Sequence, residues 1–196
     1  MAKSLPKCTA EKTTAVITIL HGALGSAHQF APLQGALSIP SRVITFIGHG
    51  AESDSDEPWS IELFSRQLEQ SLQSDPSGAP AHIFGYSMGG YVALDCAIRR
   101  PDLIEKIVTL GTKLSWSEQG ALDETKKLNP DIIEAKVPAF AADLARRHGA
   151  ERWRTVLSKT ADLMIALGSN PVLTIERCAQ FSLPVRYGLG DRDEME

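Results

Sequence analysis

The sequence predicts an α/β protein with a mostly parallel sheet of about five strands flanked by helices. Three observations carry that expectation. Five short apolar runs rich in β-branched residues recur along the chain, and they are continuous rather than alternating, as strands covered on both faces are. Helical periodicities separate them, which implies βαβ crossovers. The pentapeptide Gly85-Tyr86-Ser87-Met88-Gly89 stands between an apolar run and a helical one.

In chain order, residues 15–20 (AVITIL) read as the first strand and residues 43–47 (VITFI) as the second. Residues 60–72 follow as a helix, with Ser60 as N-cap and Ile61, Phe64, Leu68 and Leu72 on one face. Residues 82–85 form the third strand and residues 88–99 the next helix, which ends ahead of Pro101 because a proline disfavours helical geometry at Arg100. Residues 107–110 are the fourth strand and residues 185–189 the fifth.

Residues 113–182 break this rhythm. They read as helices near 115–128, 132–147 (disturbed at Pro138), 151–167 and 174–180, without a strand. Two readings stand: the helices complete the core, or they form a cap over the carboxyl ends of the strands, where ligands of open α/β sheets sit. The cap is the expectation here, within a single domain over residues 1–196. Trp116, Phe140 and Trp153 are its large apolar residues, available either for packing or for an acyl pocket.

Bulk properties narrow the function. The formal charge is −4 with 22% charged residues, so no basic surface points to nucleic acid. No apolar run approaches membrane-spanning length, and the first residues lack the apolar core of a signal peptide. Three scattered cysteines, Cys8, Cys96 and Cys178, suggest reduced thiols and a cytoplasmic setting. Cys96, among Ala93, Leu94 and Ala97, reads as a small buried hydrophobe.

The chemistry is concentrated at the pentapeptide. A strand entering a glycine turn that opens a helix is the context of a nucleophile elbow, and it names the Ser87 hydroxyl as the nucleophile. Serine is weak at neutral pH and needs a base. The helix that follows aims its N-terminal N–H groups at the site, so the Met88 N–H is a natural oxyanion donor. The glycine-rich loop Leu20-His21-Gly22-Ala23-Leu24-Gly25-Ser26 after the first strand offers a second donor, the Ala23 N–H. His21 precedes the elbow, whereas the base in this arrangement follows it, and so reads as structural.

These segments resemble the α/β-hydrolase superfamily over nearly the whole chain. The matching residues are His21-Gly22-Ala23 after the first strand, Gly48-His49-Gly50 with Ser53 after the second, Gly85 to Gly90 after the third, and Gly190-Asp191-Arg192-Asp193 after the last. The loop at 20–26 and the elbow together are similar to a branch that includes small esterases and a menaquinone-pathway lyase. That lyase carries arginine where this chain has Tyr91. The resemblance implies attack by Ser87 on a small-molecule acyl substrate, a triad acid at Asp193 (with Asp191 as the alternative), and neither metal nor organic cofactor. A charged, solvated loop is the competing reading of both aspartates, with Glu194 and Glu196 beside them. His49 matches a turn histidine without a catalytic role, and His28 and His82 look structural.

The same resemblance implies a histidine after the acid, and none follows Asp193. Three expectations compete: a chain truncated relative to a longer hydrolase, an enzyme that recruits another base such as His148 or a partner's histidine, and a non-catalytic relative that binds a ligand or partner. A last strand at residues 185–189 is also expected to lie at an open sheet edge and to invite self-association. Hydrolysis, acyl transfer and lyase chemistry share this fold and are not separated by it.

Overall fold

The computed structural model describes residues 16–191. Five strands form one all-parallel sheet: β1 (Ile17–Leu20), β2 (Ser41–Ile44), β3 (Ala81–Tyr86), β4 (Ile104–Leu110) and β5 (Val185–Gly188), in the spatial order β2-β1-β3-β4-β5. The order reverses between β1 and β3. That switch point leaves a crevice beyond the carboxyl ends of these two strands, where open α/β sheets take their ligands.

The helices are α1 (Ala31–Ala36), α2 (Ile61–Gln73), α3 (Met88–Arg99), α4 (Glu118–Thr125), α5 (Pro130–Lys136), α6 (Pro138–His148), α7 (Trp153–Ser169) and α8 (Ile175–Cys178). The Ser60 hydroxyl caps α2 by accepting from Leu63 N–H at 3.1 Å. The expected helix over 132–147 is two helices. Val137, held by the following proline at φ −136°, ψ 58°, separates α5 from α6.

Strand boundaries differ from the sequence reading by up to three residues, β4 for instance beginning at Ile104, and for the end of β2 the reason is definable. Residues 46 and 47 leave the sheet because side chains take their backbone donors: Phe46 N–H donates to His21 Nε2 and Ile47 N–H to Gln67 Oε1, both at 3.0 Å. β2 instead begins at Ser41, in register with Ile17. α1 and the 3-10 turn before it (Ala27–Phe30) were not anticipated, although the Gln29 side chain accepts from Ser26 N–H as a reciprocal cap would.

The main core joins sheet, α2, α3 and α7 through residues such as Phe46, Phe64, Leu68, Val92, Leu94, Ile107 and Leu163. A second, smaller cluster holds α5, α6 and α7 together: Ile133, Ala141, Leu144, Trp153 and Leu157. Leu24 packs against both clusters. Cys96 is fully buried, and burial pushes its thiol up to about 12, so it behaves as a small hydrophobe. Cys96 and Cys178 are free thiols, and Cys8 lies outside the described residues. Among the described residues no helix is long and apolar enough to cross a membrane.

Candidate active site

Ser87 sits between β3 and α3 with φ 51° and ψ −119°, a backbone conformation rare for an L-residue. Its surroundings hold it there. Ser87 N–H donates to the Leu110 carbonyl at 2.8 Å, and its own carbonyl accepts from Gly90 N–H at 2.9 Å and from the Thr112 hydroxyl at 3.0 Å. The tight turn requires glycine beside it. A Cβ on Gly89 would stand 2.5 Å from the Leu20 carbonyl oxygen and 2.7 Å from that of His21, so the first turn of α3 lies directly on the end of β1.

The loop after β1 approaches from the other side. Gly25 N–H donates to the Gly22 carbonyl at 3.0 Å, closing a tight turn in which Leu24 has φ 58°. Among the described residues Leu24 and Ser87 are the two non-glycine positions with positive φ. Ser87 lines a cavity of about 100 Å³, and Leu24 follows Ala23, which lines it too. The cavity is lined by Ala23, Ser87 and Met88 on the sheet side and by Trp116, Leu163, Met164 and Leu167 on the helical side. Ala23 and Met88 therefore face the same space as Ser87. The N–H of Met88, first in α3, has no acceptor within its helix, as holds for the leading N–H groups of any helix, and such helix starts favour anionic charge.

The three large apolar residues of the helical region separate in space. Trp116 lines the cavity, Trp153 is buried in the second cluster, and Phe140 is exposed at the surface of α6. Tyr91, Ile61 and the α7 residues complete the apolar lining, and the sequence assigned none of them to a pocket. Their signal there, helical spacing of apolar residues, is the same as that of ordinary core positions.

All five histidines lie among the described residues, and none lines the cavity. His21 is fully buried, with Nδ1 2.7 Å from the Gly22 carbonyl, to which it donates, and Nε2 accepting from Phe46 N–H. Burial lowers its pKa to about 4 and keeps it neutral. His49 donates from Nδ1 to the Ile47 carbonyl at 3.1 Å and stacks on Trp59, its pKa also lowered by burial. His148 accepts from Gly50 N–H at Nδ1 and donates from Nε2 to the Leu24 carbonyl, so both ring nitrogens are occupied and neither is available as a base for Ser87. Burial lowers its pKa too. His28 is exposed, and His82 lies 3.7 Å from Glu105 on β4.

Of the two acid candidates, Asp193 lies outside the described residues, and Asp191 is exposed and does not line the cavity. Among the described residues no group of histidine, cysteine or carboxylate side chains is arranged to hold a metal ion.

Comparison with known proteins agrees with this geometry. A family model described as Thioesterase domain matches residues 16–111, the segment from β1 through the elbow to the end of β4. The chain is 31% identical over 105 residues to the mouse sn-1-specific diacylglycerol lipase ABHD11, covering 51% of this chain and 33% of that protein. It is 29% identical over 133 residues to a pimeloyl-acyl-carrier-protein methyl ester esterase of Neisseria meningitidis, covering 66% of this chain and 48% of that protein. The chain thus spans between a third and a half of the length of these curated relatives. Its fold matches NosK from Streptomyces actuosus with a TM-score of 0.77 at 24% identity, covering 93% of this chain and 79% of that one. The five-stranded parallel sheet, the elbow at its switch point and the run of esterase likenesses converge on one assignment: the chain belongs to the α/β-hydrolase superfamily.

Proposed function

We propose that the chain is built for serine-dependent hydrolysis of a carboxylic ester, thioester or related acyl bond. The observation that carries this reading is the strained Ser87 elbow opening into an apolar cavity that Ala23 and Met88 share. In the proposed reaction Ser87 Oγ bonds to the acyl carbon, the alcohol or thiol leaves with a proton, and water cleaves the resulting acyl-enzyme to the free acid. The Ala23 and Met88 N–H groups hold the oxyanion, an interaction worth about 10²–10³ in kcat per donor. Asp193, or Asp191, would orient the histidine that takes the serine proton.

No histidine of this chain lines the cavity, so turnover by the chain alone is expected to be slow. Loss of the base of a serine triad costs up to about 10⁶ in kcat. Neither a metal nor an organic cofactor enters the scheme. The substrate is a small acyl molecule, with residues 113–182 acting as a cap that closes over it, and the setting is cytoplasmic. The uncommitted cavity without a base also supports a second reading, a non-catalytic relative that binds a ligand.

A fluorophosphonate probe separates the two. Labelling at Ser87 that is lost in Ser87→Ala, together with slow release of acid from simple esters or thioesters, is the outcome expected of the hydrolase. Tight ligand binding with an unlabelled Ser87 is the outcome expected of the binding protein and would overturn the catalytic reading.

A further inference from the structure

The carbonyl of Leu24 is held from a distant part of the chain. His148, the last residue of α6 and 1% exposed, donates to it from Nε2 at 2.9 Å. Arg147 donates to the same oxygen from Nη1 at 2.5 Å and is itself paired with Asp143. The opposite ring nitrogen of His148 accepts from Gly50 N–H at 3.0 Å, which fixes the tautomer and ties the loop after β2 to the same point. Arg152 extends the clasp by donating to the carbonyls of Gly50 and Glu52 and, through Nε, to that of His148.

This clasp grips a loop with a reason to relax. Leu24 is held at φ 58°, which is costly for a residue with a branched side chain and persists only where the surroundings enforce it. On the other side of Ala23, the Gly22 carbonyl is fixed by His21 Nδ1 and by Gly25 N–H. Ala23 therefore lies between two anchored carbonyls, one held from the sheet and one from α6. Release of the second lets Leu24 return to negative φ, which withdraws the Gly25 N–H from the Gly22 carbonyl and so loosens the peptide that carries the Ala23 N–H.

We propose that His148 is a positioning residue for the oxyanion loop: through the Leu24 carbonyl, with Arg147 beside it, the helical segment sets the direction of the Ala23 N–H. The proposal rests on the reading of Ala23 as an oxyanion donor. It makes the helical region part of the acyl-transfer machinery as well as a cover.

The test compares the full chain with His148→Ala and with His148→Gln, whose amide offers one donor and one acceptor. The two readouts are the rate of Ser87 labelling by a fluorophosphonate and amide hydrogen exchange by NMR at Gly25, whose N–H closes the turn on the Gly22 carbonyl. In His148→Ala the labelling rate is expected to fall about 10–100-fold, within the range of losing an oxyanion donor. Exchange at Gly25 is expected to rise at least about tenfold while Ile83 and Phe84 of β3 stay protected. His148→Gln is expected to restore both. A folded His148→Ala with unchanged exchange overturns the proposal. So does a change in both readouts that Gln does not reverse, because that marks general loosening.

If the parent chain itself is not labelled, the serine reading fails while the exchange readout still decides whether His148 holds the loop. If His148→Ala does not fold, Arg147→Met removes the other donor to the same carbonyl, and its indifference in both readouts would overturn the proposal.

Discussion

The Thr112 hydroxyl donates to the Ser87 carbonyl at 3.0 Å, so the loop after β4 pins the elbow that follows β3. The elbow conformation is enforced by such contacts against the preference of an L-residue, and a backbone in a sparsely populated region costs on the order of 1–3 kcal/mol. Ser87→Gly is expected to relieve that cost and, after the entropy glycine loses on folding, to raise the free energy of unfolding by about 1 kcal/mol. Urea denaturation checks this. The same variant is expected to lose all fluorophosphonate labelling, so stability and reactivity move in opposite directions at one residue.

Gly89→Ala is expected to behave in the reverse way. Its Cβ meets backbone oxygens of Leu20 and His21, which cannot rotate aside, so either α3 or the end of β1 must shift. Overpacking of this kind costs about 1–3 kcal/mol. A melting temperature equal to that of the parent chain would show that the helix is not seated on β1 as described.

Acid is expected to destabilise the fold through its buried histidines. His21 has its pKa lowered by burial from 6.5 to about 4. Between those values the unfolded chain binds a proton that the folded chain does not, so stability rises with pH across that window and is lost as pH falls from about 6.5 towards 4. The shift corresponds to on the order of 3 kcal/mol for His21. His49 and His148, lowered in the same direction by burial, add to the loss. Denaturation curves from pH 7 to 4 measure it, and histidine NMR titration should find the His21 ring still neutral at pH 5.5.

Strand β5 lies at one edge of the described sheet, with Leu110, Tyr187 and Leu189 42%, 49% and 59% exposed beside it. An open edge with apolar side chains is a template for another chain, and lysine is a common natural guard against it. The expected outcome is a sedimentation-average mass that rises with concentration in the parent chain and rises less in Tyr187→Lys and Leu189→Lys. A single monomeric mass at all concentrations would remove this expectation.

Much of the fold is legible in local patterns. The five strands, the Ser60 cap and the junction from β3 through Ser87 to α3 are short-range features, written in β-branched runs, cap chemistry and glycine spacing. The end of β2 is not, because Phe46 and Ile47 leave the sheet for acceptors on His21 and Gln67, 25 and 20 positions away in sequence. The helix α1 was missed for a different reason. It is short, contains Pro32 and Gly35, and buries none of its own residues, so it presents no apolar stripe.

By itself the sequence determined the strand-turn-helix setting of Ser87, the residue proposed as nucleophile, because such a turn is specified by neighbours within a few residues of it. Only the tertiary structure decided what His148 does. Its ring nitrogens are claimed by Gly50 and Leu24, 98 and 124 positions away, which turns a candidate base into a strut. Partners that far apart in sequence are brought together by packing of the α6–α7 cluster against Leu24, and no local pattern encodes that contact.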